Sequence, residues 1–243
     1  MTLRLLPVPV GAEAYVALDK EAGQAAHGPG GLLEEARREL GGDLRLVHRL
    51  DRITSGLLLL ARGEEALRAA HAAWPERVSK TYLGLVRGVP AGTEGTVGLP
   101  LLERRTGRPW LLERALRAAY GADRAARLLA GETLPDVPPL PPPARTAVHP
   151  AGRPALTRWR LVAPREDDAL LELVPETGRM HQLRVHLAAL GLPLRNDPLY
   201  DPAAGPGSPP PFLRAVRLTW QDPPGAPGTA WTFEAAASEM IPT

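Results

Sequence analysis

The chain has 243 residues, enough to bury a substantial core in a single domain, which we expect to span residues 1–243. Its 29 basic and 27 acidic residues give a formal charge of only +2, so the net charge identifies no partner, and the informative question is whether the arginines gather on one face. The absence of cysteine excludes disulfide frameworks, cysteine-based zinc sites and thiol catalysis, and the absence of a membrane-spanning apolar run or signal peptide leads us to expect a cytoplasmic protein.

Two regular elements are predicted before the most polar segment of the chain. Tyr15–Lys20 predicts a strand, and residues 21–23 have the composition of a turn. Residues 31–40 place apolar side chains at helical spacing, and the pair of glycines that follows is expected to end this helix. Lys20 stands at the end of the strand, and its position alone indicates no more than a surface lysine.

A dense group of polar residues lies between two short apolar segments at residues 44–62. Each apolar segment has the length of a buried strand, and the residues at 54–56 have the composition of a turn that joins strands. The carboxylate of this loop, Asp51, lies close to Arg49 and Arg52, and cationic neighbours favour its ionised form, which is suited to act as nucleophile or base. The alternative, which the charge pattern alone favours, is a structural aspartate that caps the turn beside solvated arginines.

A helix and a strand are predicted next, at residues 64–74 and 79–88. The strand alternates, which places Tyr82 on the same face as Lys80 and Gly84. A neighbour as small as glycine would leave the Tyr82 ring free to stack on a flat group. The alternative is an ordinary core tyrosine.

Residues 104–145 differ in composition from the rest of the chain and are interpreted as an insertion. Within it, residues 110–129 predict one or two amphipathic helices interrupted at Gly121. Residues 134–143 are rich in proline, which favours the extended polyproline II conformation, and we expect them to act as a stiff spacer.

Four further strands are predicted in the second half of the chain. Residues 159–162 and 170–174 alternate as a hairpin pair does, and residues 213–220 and 231–235 are expected to be closing strands.

The segment at residues 177–191 predicts an amphipathic helix that ends at Gly191. Its apolar stripe consists of Met180, Leu183, Leu187 and Leu190. Its wet face is expected to carry Gln182, His186 and Ala189. Arg184 falls inside the buried arc, and a buried arginine needs a carboxylate or phosphate partner. The periodicity alone therefore predicts an acidic partner for Arg184, with Asp51 as the candidate.

Two histidines of the same segment, His181 and His186, are five residues apart. Metal ligands on one face of a helix are spaced by three or four residues. We therefore expect no metal at this segment.

Three stretches of the chain resemble the motifs of one family. Residues 48–57 read H-R-L-D-R-I-T-S-G-L, which resembles the signature H-R-L-D-x-x-T-S-G-L of the RluA-type pseudouridine synthases. Residues 80–88 and 178–187 are similar to the family's motifs K-x-Y-x-A-L-V-x-G and G-R-x-H-Q-I/L-R-V-H-L. The resemblance covers nearly the whole chain apart from the insertion. It implies an α+β fold with a curved, mainly antiparallel sheet flanked by helices, here without the S4-type domain that precedes the catalytic part in many relatives.

This resemblance implies an RNA-modifying enzyme. Its members isomerise uridine to pseudouridine in large-subunit ribosomal RNA, in transfer RNA, or in both. Because the exchange is internal to the substrate, no cofactor, metal or second substrate is expected. RNA is the expected partner, with no membrane partner, and the protein is expected to be monomeric.

The resemblance also implies a role for each motif residue. It gives Asp51 the role of nucleophile, Arg184 that of its ion-pair partner, and Tyr82 that of the side chain that contacts the target base. Arg49 is expected to enter the RNA stack where the base has left. Four further residues are expected to contact RNA. Arg52, Arg179 and His181 lie in the motifs above, and Lys20 lies in residues 19–23, which resemble the family's D-K-P-A-G with Glu21 in place of proline.

The sequence leaves alternatives open for the function and for the insertion. The main alternative is a catalytically silent RNA-binding protein, such as a ribosome-assembly factor, although binding alone would not need a carboxylate in a phosphate-facing cleft. A glycosidase normally needs two carboxylates, and the motifs carry one. The insertion could add an RNA contact, but a solvated helix face is the expectation from its charge pattern. Its arginines are Arg104, Arg105, Arg108, Arg114 and Arg117.

Overall fold

The computed structural model of the protein describes residues 3–74, 76–105 and 108–236. Its helices are α1 (Leu32–Leu40), α2 (Gly63–Ala73), α3 (Pro109–Tyr120), α4 (Ala122–Leu129) and α5 (Gln182–Ala189). Its strands are β1 (Leu5–Leu6), β2 (Tyr15–Lys20), β3 (Leu44–Leu46), β4 (Ser55–Arg62), β5 (Val78–Arg87), β6 (Glu94–Val97), β7 (Leu101–Arg104), β8 (Arg145–Val148), β9 (Thr157–Arg165), β10 (Asp168–Pro175), β11 (Leu213–Gln221) and β12 (Ala230–Glu234).

Most of these strands form one large sheet in the order β1-β2-β4-β11-β5-β10-β9-β6, with β3 beside β4 and β12 beside β11. In the described part of the chain, β4 and β11 run parallel, and the other pairs of this sheet are antiparallel. A mixed fold built on a large, mainly antiparallel sheet is thereby confirmed. Strands β7 and β8 form a separate two-stranded sheet.

The centre of the main sheet follows from the apolar run in β4. The four leucines at positions 57–60 are at most 1% exposed, as expected of a strand that is covered on both faces. The rings of Tyr15, Trp220 and Trp231 pack edge to face, with centroids 5.4–6.0 Å apart, and join β2 to the last two strands. The Tyr15 hydroxyl donates a hydrogen bond of 2.9 Å to the carbonyl of Ala66 in α2, so this helix is fixed to the same core.

The predicted helices and strands are confirmed within a few residues, apart from the place of one strand in the sheet and the start of one helix. Strand β11 is central rather than closing, because it lies between β4 and β5. The helix predicted over residues 177–191 begins only at Gln182, and Gly191, with a φ of 75°, follows its end as expected.

Residues 104–145, interpreted above as an insertion, contribute most of a second hydrophobic cluster, to which Leu102 and Ala151 also belong. Leu112 and Leu116 of α3 pack with Leu128 of α4, and Leu134 and Val137 of the proline-rich run complete this cluster. Both residues of the run are at most 6% exposed. The expectation of a stiff spacer was therefore wrong, because the apolar residues between the prolines have helices to pack against.

Gly56 sets the distance between β4 and β11 next to the most polar loop of the chain. Its φ is 97°, and a Cβ atom added there would lie 2.1 Å from the carbonyl oxygen of Ala215. Only glycine permits this approach, because the obstacle is backbone and cannot move aside as a side chain could.

Candidate active site

The loop at residues 47–54, here called the Asp51 loop, joins β3 to β4. It is held at both ends by backbone hydrogen bonds, from the Val47 amide to the Leu59 carbonyl at 3.1 Å and from the Thr54 amide to the Asp51 carbonyl at 3.0 Å. The tight turn therefore spans residues 51–54, and the predicted turn at 54–56 was wrong because Ser55 and Gly56 already belong to β4. This turn presents the Asp51 side chain, which is 31% exposed.

Arg184 has two carboxylate neighbours rather than one. Its Nε and Nη2 atoms donate to both oxygens of Asp197 at 2.7 and 2.8 Å, and its Nη1 atom lies 3.6 Å from Oδ2 of Asp51. Arg184 and Asp197 are at most 4% exposed. Burial would lower the pKa of Arg184, but the hydrogen bonds and charge of Asp197 outweigh it and raise the pKa. The predicted contact with Asp51 is present, yet the main acidic partner is Asp197.

Helix α5 is buried on faces that were expected to be wet. Gln182 is 4% exposed and His186 is fully buried, so the predicted wet face was wrong for these two residues. Gln182 donates to the Leu156 carbonyl and to Thr157 Oγ1, and His186 contacts the same hydroxyl at 2.9 Å. These hydrogen bonds satisfy the polar groups of Gln182 and His186, so both side chains can be buried although the spacing of apolar residues predicted them to face solvent.

Tyr82 lines a cavity of about 120 Å³ together with Asp51, Arg184 and His181. This volume corresponds to about four water molecules at roughly 30 Å³ each, which suits one small planar ring. Burial, with a smaller contribution from the Asp51 charge, raises the pKa of Tyr82, so its hydroxyl is neutral at physiological pH. A Cβ atom at Gly84 would lie 3.0 Å from the side-chain ends of Leu173 and Leu194, and its three nearest neighbours do not include the Tyr82 ring. The small size of Gly84 therefore makes room for leucines and does not free the Tyr82 ring.

A second, larger cavity of about 850 Å³ shares Asp51 with the small one, and we call it the cleft. Its lining includes the cations Arg49, Lys80, Arg105, Arg108 and Arg179. Among the described residues that line it, Asp51 is the one carboxylate, which leaves an excess of four positive charges. This excess is twice the formal charge of the whole chain, so basic residues do gather at one place.

One wall of the cleft is a stack of three side chains. The rings of His48 and Trp74 stack with centroids 5.7 Å apart, and Lys80 Nζ lies 4.9 Å from the Trp74 centroid. Burial lowers the pKa of Lys80 to about 8. Burial, together with the charge of Lys80, lowers the pKa of His48 to about 3, so the ring is neutral and its Nε2 atom accepts the Leu59 amide proton at 3.2 Å. His48 therefore supports the wall and is not a proton donor at neutral pH.

Comparison with known proteins decides the family. Residues 14–189 match the sequence profile of RNA pseudouridylate synthase. The chain belongs to that family. It is 35% identical over 195 residues to ribosomal large subunit pseudouridine synthase C of Pasteurella multocida, covering 77% of this chain and 50% of the relative. It is 33% identical over 161 residues to the dual-specificity RNA pseudouridine synthase RluA of Vibrio cholerae, covering 66% of this chain and 52% of the relative.

These relatives confirm the RluA-type resemblance, although the chain spans only about half the length of the curated relatives that it matches. The solved structure of human RNA pseudouridylate synthase domain containing 1 has a TM-score of 0.67 and 22% identity. That match covers 97% of this chain and 83% of the human one and therefore shows the pseudouridine synthase fold.

Lys20 lies in one of the family motifs but has no exposed surface. Its Nζ atom donates to the carbonyls of Glu21, Gln24 and Arg52 at 2.8–3.2 Å, which uses all three ammonium protons. The prediction that Lys20 contacts RNA, and its alternative as a surface lysine, were both wrong. Lys20 instead connects the turn that follows β2 to the Asp51 loop. Arg52 reinforces this connection, because its Nε atom donates to the Gly23 carbonyl at 2.7 Å.

Three of the remaining residues predicted to bind RNA line a cavity, namely Arg49, Arg179 and His181, whereas Arg52 lines neither of the two. Arg49 is exposed and lines both cavities, and Arg179 does so too while its Nε atom donates to the Pro154 carbonyl. His181 has a left-handed φ of 55°, and its Nδ1 atom lies 2.8 Å from the Tyr200 hydroxyl. Burial, only partly offset by the Asp51 charge, lowers the pKa of His181.

Sequence reasoning missed Asp197 and Tyr200 as parts of this site. The Tyr200 ring lies 5.0 Å from the Arg184 guanidinium, and its hydroxyl contacts His181 and the backbone of Thr146. Both residues lie in residues 190–200, which resemble the family motif L-G-x-P-I-x-G-D-x-x-Y with Asn196 in place of its second glycine. Asn196 has a φ of 64°, a conformation that asparagine tolerates. Their place in that motif was the signal that could have identified them.

Two features that the described residues lack bear on other functions. Within residues 3–74, 76–105 and 108–236, His, Asp and Glu side chains form no group of three or more that could hold a metal ion. Over the same residues, no helix combines the length and the apolar character needed to cross a membrane.

Proposed function

We propose that this chain isomerises specific uridines to pseudouridine in structured RNA, with Asp51 as the catalytic carboxylate. The observation that carries this proposal is the position of Asp51, 3.6 Å from buried Arg184 and between a ring-sized cavity lined by Tyr82 and a cationic cleft. Membership of the RNA pseudouridylate synthase family supports the same reaction.

The reaction breaks the bond between uracil N1 and ribose C1′ and forms a bond between C5 and C1′. The ring must turn between these steps, and the C5 proton is lost while N1 gains a proton, so the sum is an isomerisation. The base must first leave the RNA stack, which costs a few kcal/mol and requires a pocket that stacks on the ring. Asp51 either attacks C1′ or C6 or removes a proton from the ribose.

The neighbouring side chains support this carboxylate in distinct ways. Tyr82 packs on the uracil as a neutral phenol, and Arg184 orients Asp51 while Asp197 fixes the guanidinium. Arg49 lies at the edge shared by both cavities, where it can fill the space that the base leaves in the stack. Arg52, Arg179 and His181 are the further RNA contacts that we propose.

The relatives named for the ribosomal large subunit and for dual specificity support two RNA classes. We therefore propose large-subunit ribosomal RNA, transfer RNA, or both as substrates. We also propose that the enzyme is a monomer.

The test follows tritium released from uridine C5 in bulk transfer RNA and in protein-free large-subunit ribosomal RNA. We expect release by the wild type and none by Asp51→Asn, because the amide keeps the shape of Asp51 but not its charge. The control is Asp43→Asn, an exposed carboxylate paired with Arg45, which should leave release unchanged. Tight RNA binding without release from either RNA or from ribosomal particles would instead support the silent RNA-binding protein.

A further inference from the structure

The insertion contributes part of the wall of the cleft. Arg105, Arg108 and Ala144 line it together with Arg49 and Asp51 of the Asp51 loop. The cleft is about seven times larger than the ring-sized cavity beside it. If one uracil enters the small cavity, the cleft has room for the sugar-phosphate chain on either side of that nucleotide.

The stem of the insertion is fixed to the active site, so the position of Arg105 is defined relative to Asp51. Glu103 Oε1 accepts the backbone amide of Met180 at 3.2 Å, and its other oxygen accepts Arg105 Nε at 2.5 Å. On the paired strand, the backbone amide and carbonyl of Thr146 contact the Tyr200 hydroxyl at 3.1 and 3.2 Å. The β7–β8 sheet thereby joins the insertion to residues that surround Arg184.

The chemistry of the cleft selects a polyanion. Arg105 keeps 32% of its side chain exposed, and Arg108 is exposed and has no ion pair among the described residues. Guanidinium groups present planar pairs of donors that match phosphate oxygens. The charge of Asp51 repels phosphates from its own vicinity, so cations elsewhere in the cleft are needed to hold an RNA strand there.

We propose that Arg105 and Arg108 bind backbone phosphates of the nucleotides that flank the uridine in the small cavity. The insertion is then an RNA-binding arm of the substrate site and not a solvated appendage. The identity of the polyanion as RNA rests on the proposed function.

The insertion itself provides a matched control. Arg114 and Arg117 lie on α3, but neither lines the cleft: Arg114 packs over the Trp110 ring at 5.6 Å, and Arg117 pairs with Glu113 at 2.9 Å. The variants Arg105→Gln/Arg108→Gln and Arg114→Gln/Arg117→Gln therefore remove the same charge from the same insertion. They differ in whether the lost groups face the cleft.

The experiment measures the Kd of each full-length variant for a fluorescently labelled RNA hairpin with uridines in its loop, over a series of salt concentrations. Each lost phosphate contact should lower the slope of log Kd against log salt by about 0.7 to 0.9, hence by about 1.4 to 1.8 for the cleft pair. The control pair should keep the wild-type slope. An equal change in both pairs, or an unchanged slope in the cleft pair, would overturn the inference.

Two further readouts keep the result unambiguous. Arg108→Gln alone removes an exposed side chain and should lower the slope by about half as much as the double variant, which guards against a folding defect in the latter. Tritium release by the wild type with an unchanged slope in the cleft pair overturns this inference alone. A changed slope without any release supports the RNA-binding arm while refuting the proposed isomerase.

Discussion

Replacing Asp197 by asparagine tests the buried ion pair on which Arg184 depends. Asp197 is fully buried and holds the guanidinium through bonds of 2.7 and 2.8 Å, while one of its oxygens also accepts the Leu199 amide proton at 2.9 Å. Asparagine keeps the shape and one acceptor but leaves Arg184 with the more distant charge of Asp51 alone.

The expected loss of stability follows from this burial. Removing one partner of a buried ion pair costs about 3 to 5 kcal/mol, because the other charge remains without compensation. For a chain of this length each kcal/mol corresponds to about 2 to 4 °C in Tm, so the variant should melt about 6 to 20 °C lower. Loss of a fixed guanidinium beside Asp51 should also lower kcat on the order of 100-fold, the effect of misplacing a catalytic group by about 1 Å.

Circular dichroism melting and tritium release measure these two effects separately. The double variant Arg184→Met/Asp197→Leu removes both buried charges and should recover much of the lost stability while remaining inactive. Glu113→Gln breaks an exposed ion pair and should change neither quantity appreciably. A Tm for Asp197→Asn within about 2 °C of the wild type would refute the claim that this carboxylate holds Arg184.

Two further predictions concern pH and close backbone packing. The pKa of His48 falls from 6.5 to about 3 on folding, so the unfolded chain binds the extra proton between these values, and the free energy of unfolding should drop by about 2 kcal/mol from pH 7 to pH 5. Urea titrations at both pH values should show a smaller drop in His48→Gln, and an equal drop would contradict the assignment. Gly56→Ala should cost at least about 2 kcal/mol, because its Cβ meets the Ala215 backbone. Gly63 has a similar φ, but an added Cβ would meet no atom within 4 Å. If Gly63→Ala lowered the free energy of unfolding as much as Gly56→Ala, the effect would come from φ and not from the contact with Ala215.

Local patterns in the sequence were sufficient for most of the secondary structure. The strand at Tyr15–Lys20 and the two helices of the insertion follow from side chains that are near one another in the chain. The Asp51 loop was identified for the same reason, because a polar group between two apolar runs is visible in one short window. The resemblance to the family motif then led us to propose Asp51 as the catalytic side chain of this loop.

Long-range pairing accounts for what the sequence did not show. Lys20 was expected at the surface because lysine is rarely buried, but three carbonyls from two loops surround its ammonium group. Gln182 and His186 have polar side chains on a helix of only eight residues. The acceptors of the Gln182 side-chain amide and the hydroxyl that His186 contacts lie 25 to 29 positions away in the chain. Periodicity records which residues share a face but not which partners that face will meet.

Under the proposed function, Asp197 and Asp51 have different roles, which explains why the site contains two carboxylates. A carboxylate in a bidentate pair with arginine has its oxygens occupied by donors and is held in place, which suits a structural role and opposes attack on a substrate. Asp197 takes that role and neutralises Arg184. Asp51 is partly exposed, and its Oδ2 atom lies 3.6 Å from Arg184 Nη1. Its oxygen lone pairs therefore remain available, while the oriented guanidinium is close enough to attract its charge. If Asp51 were the single acidic partner of Arg184, as the sequence suggested, the same carboxylate would have to neutralise the buried guanidinium and also remain available for the proposed reaction.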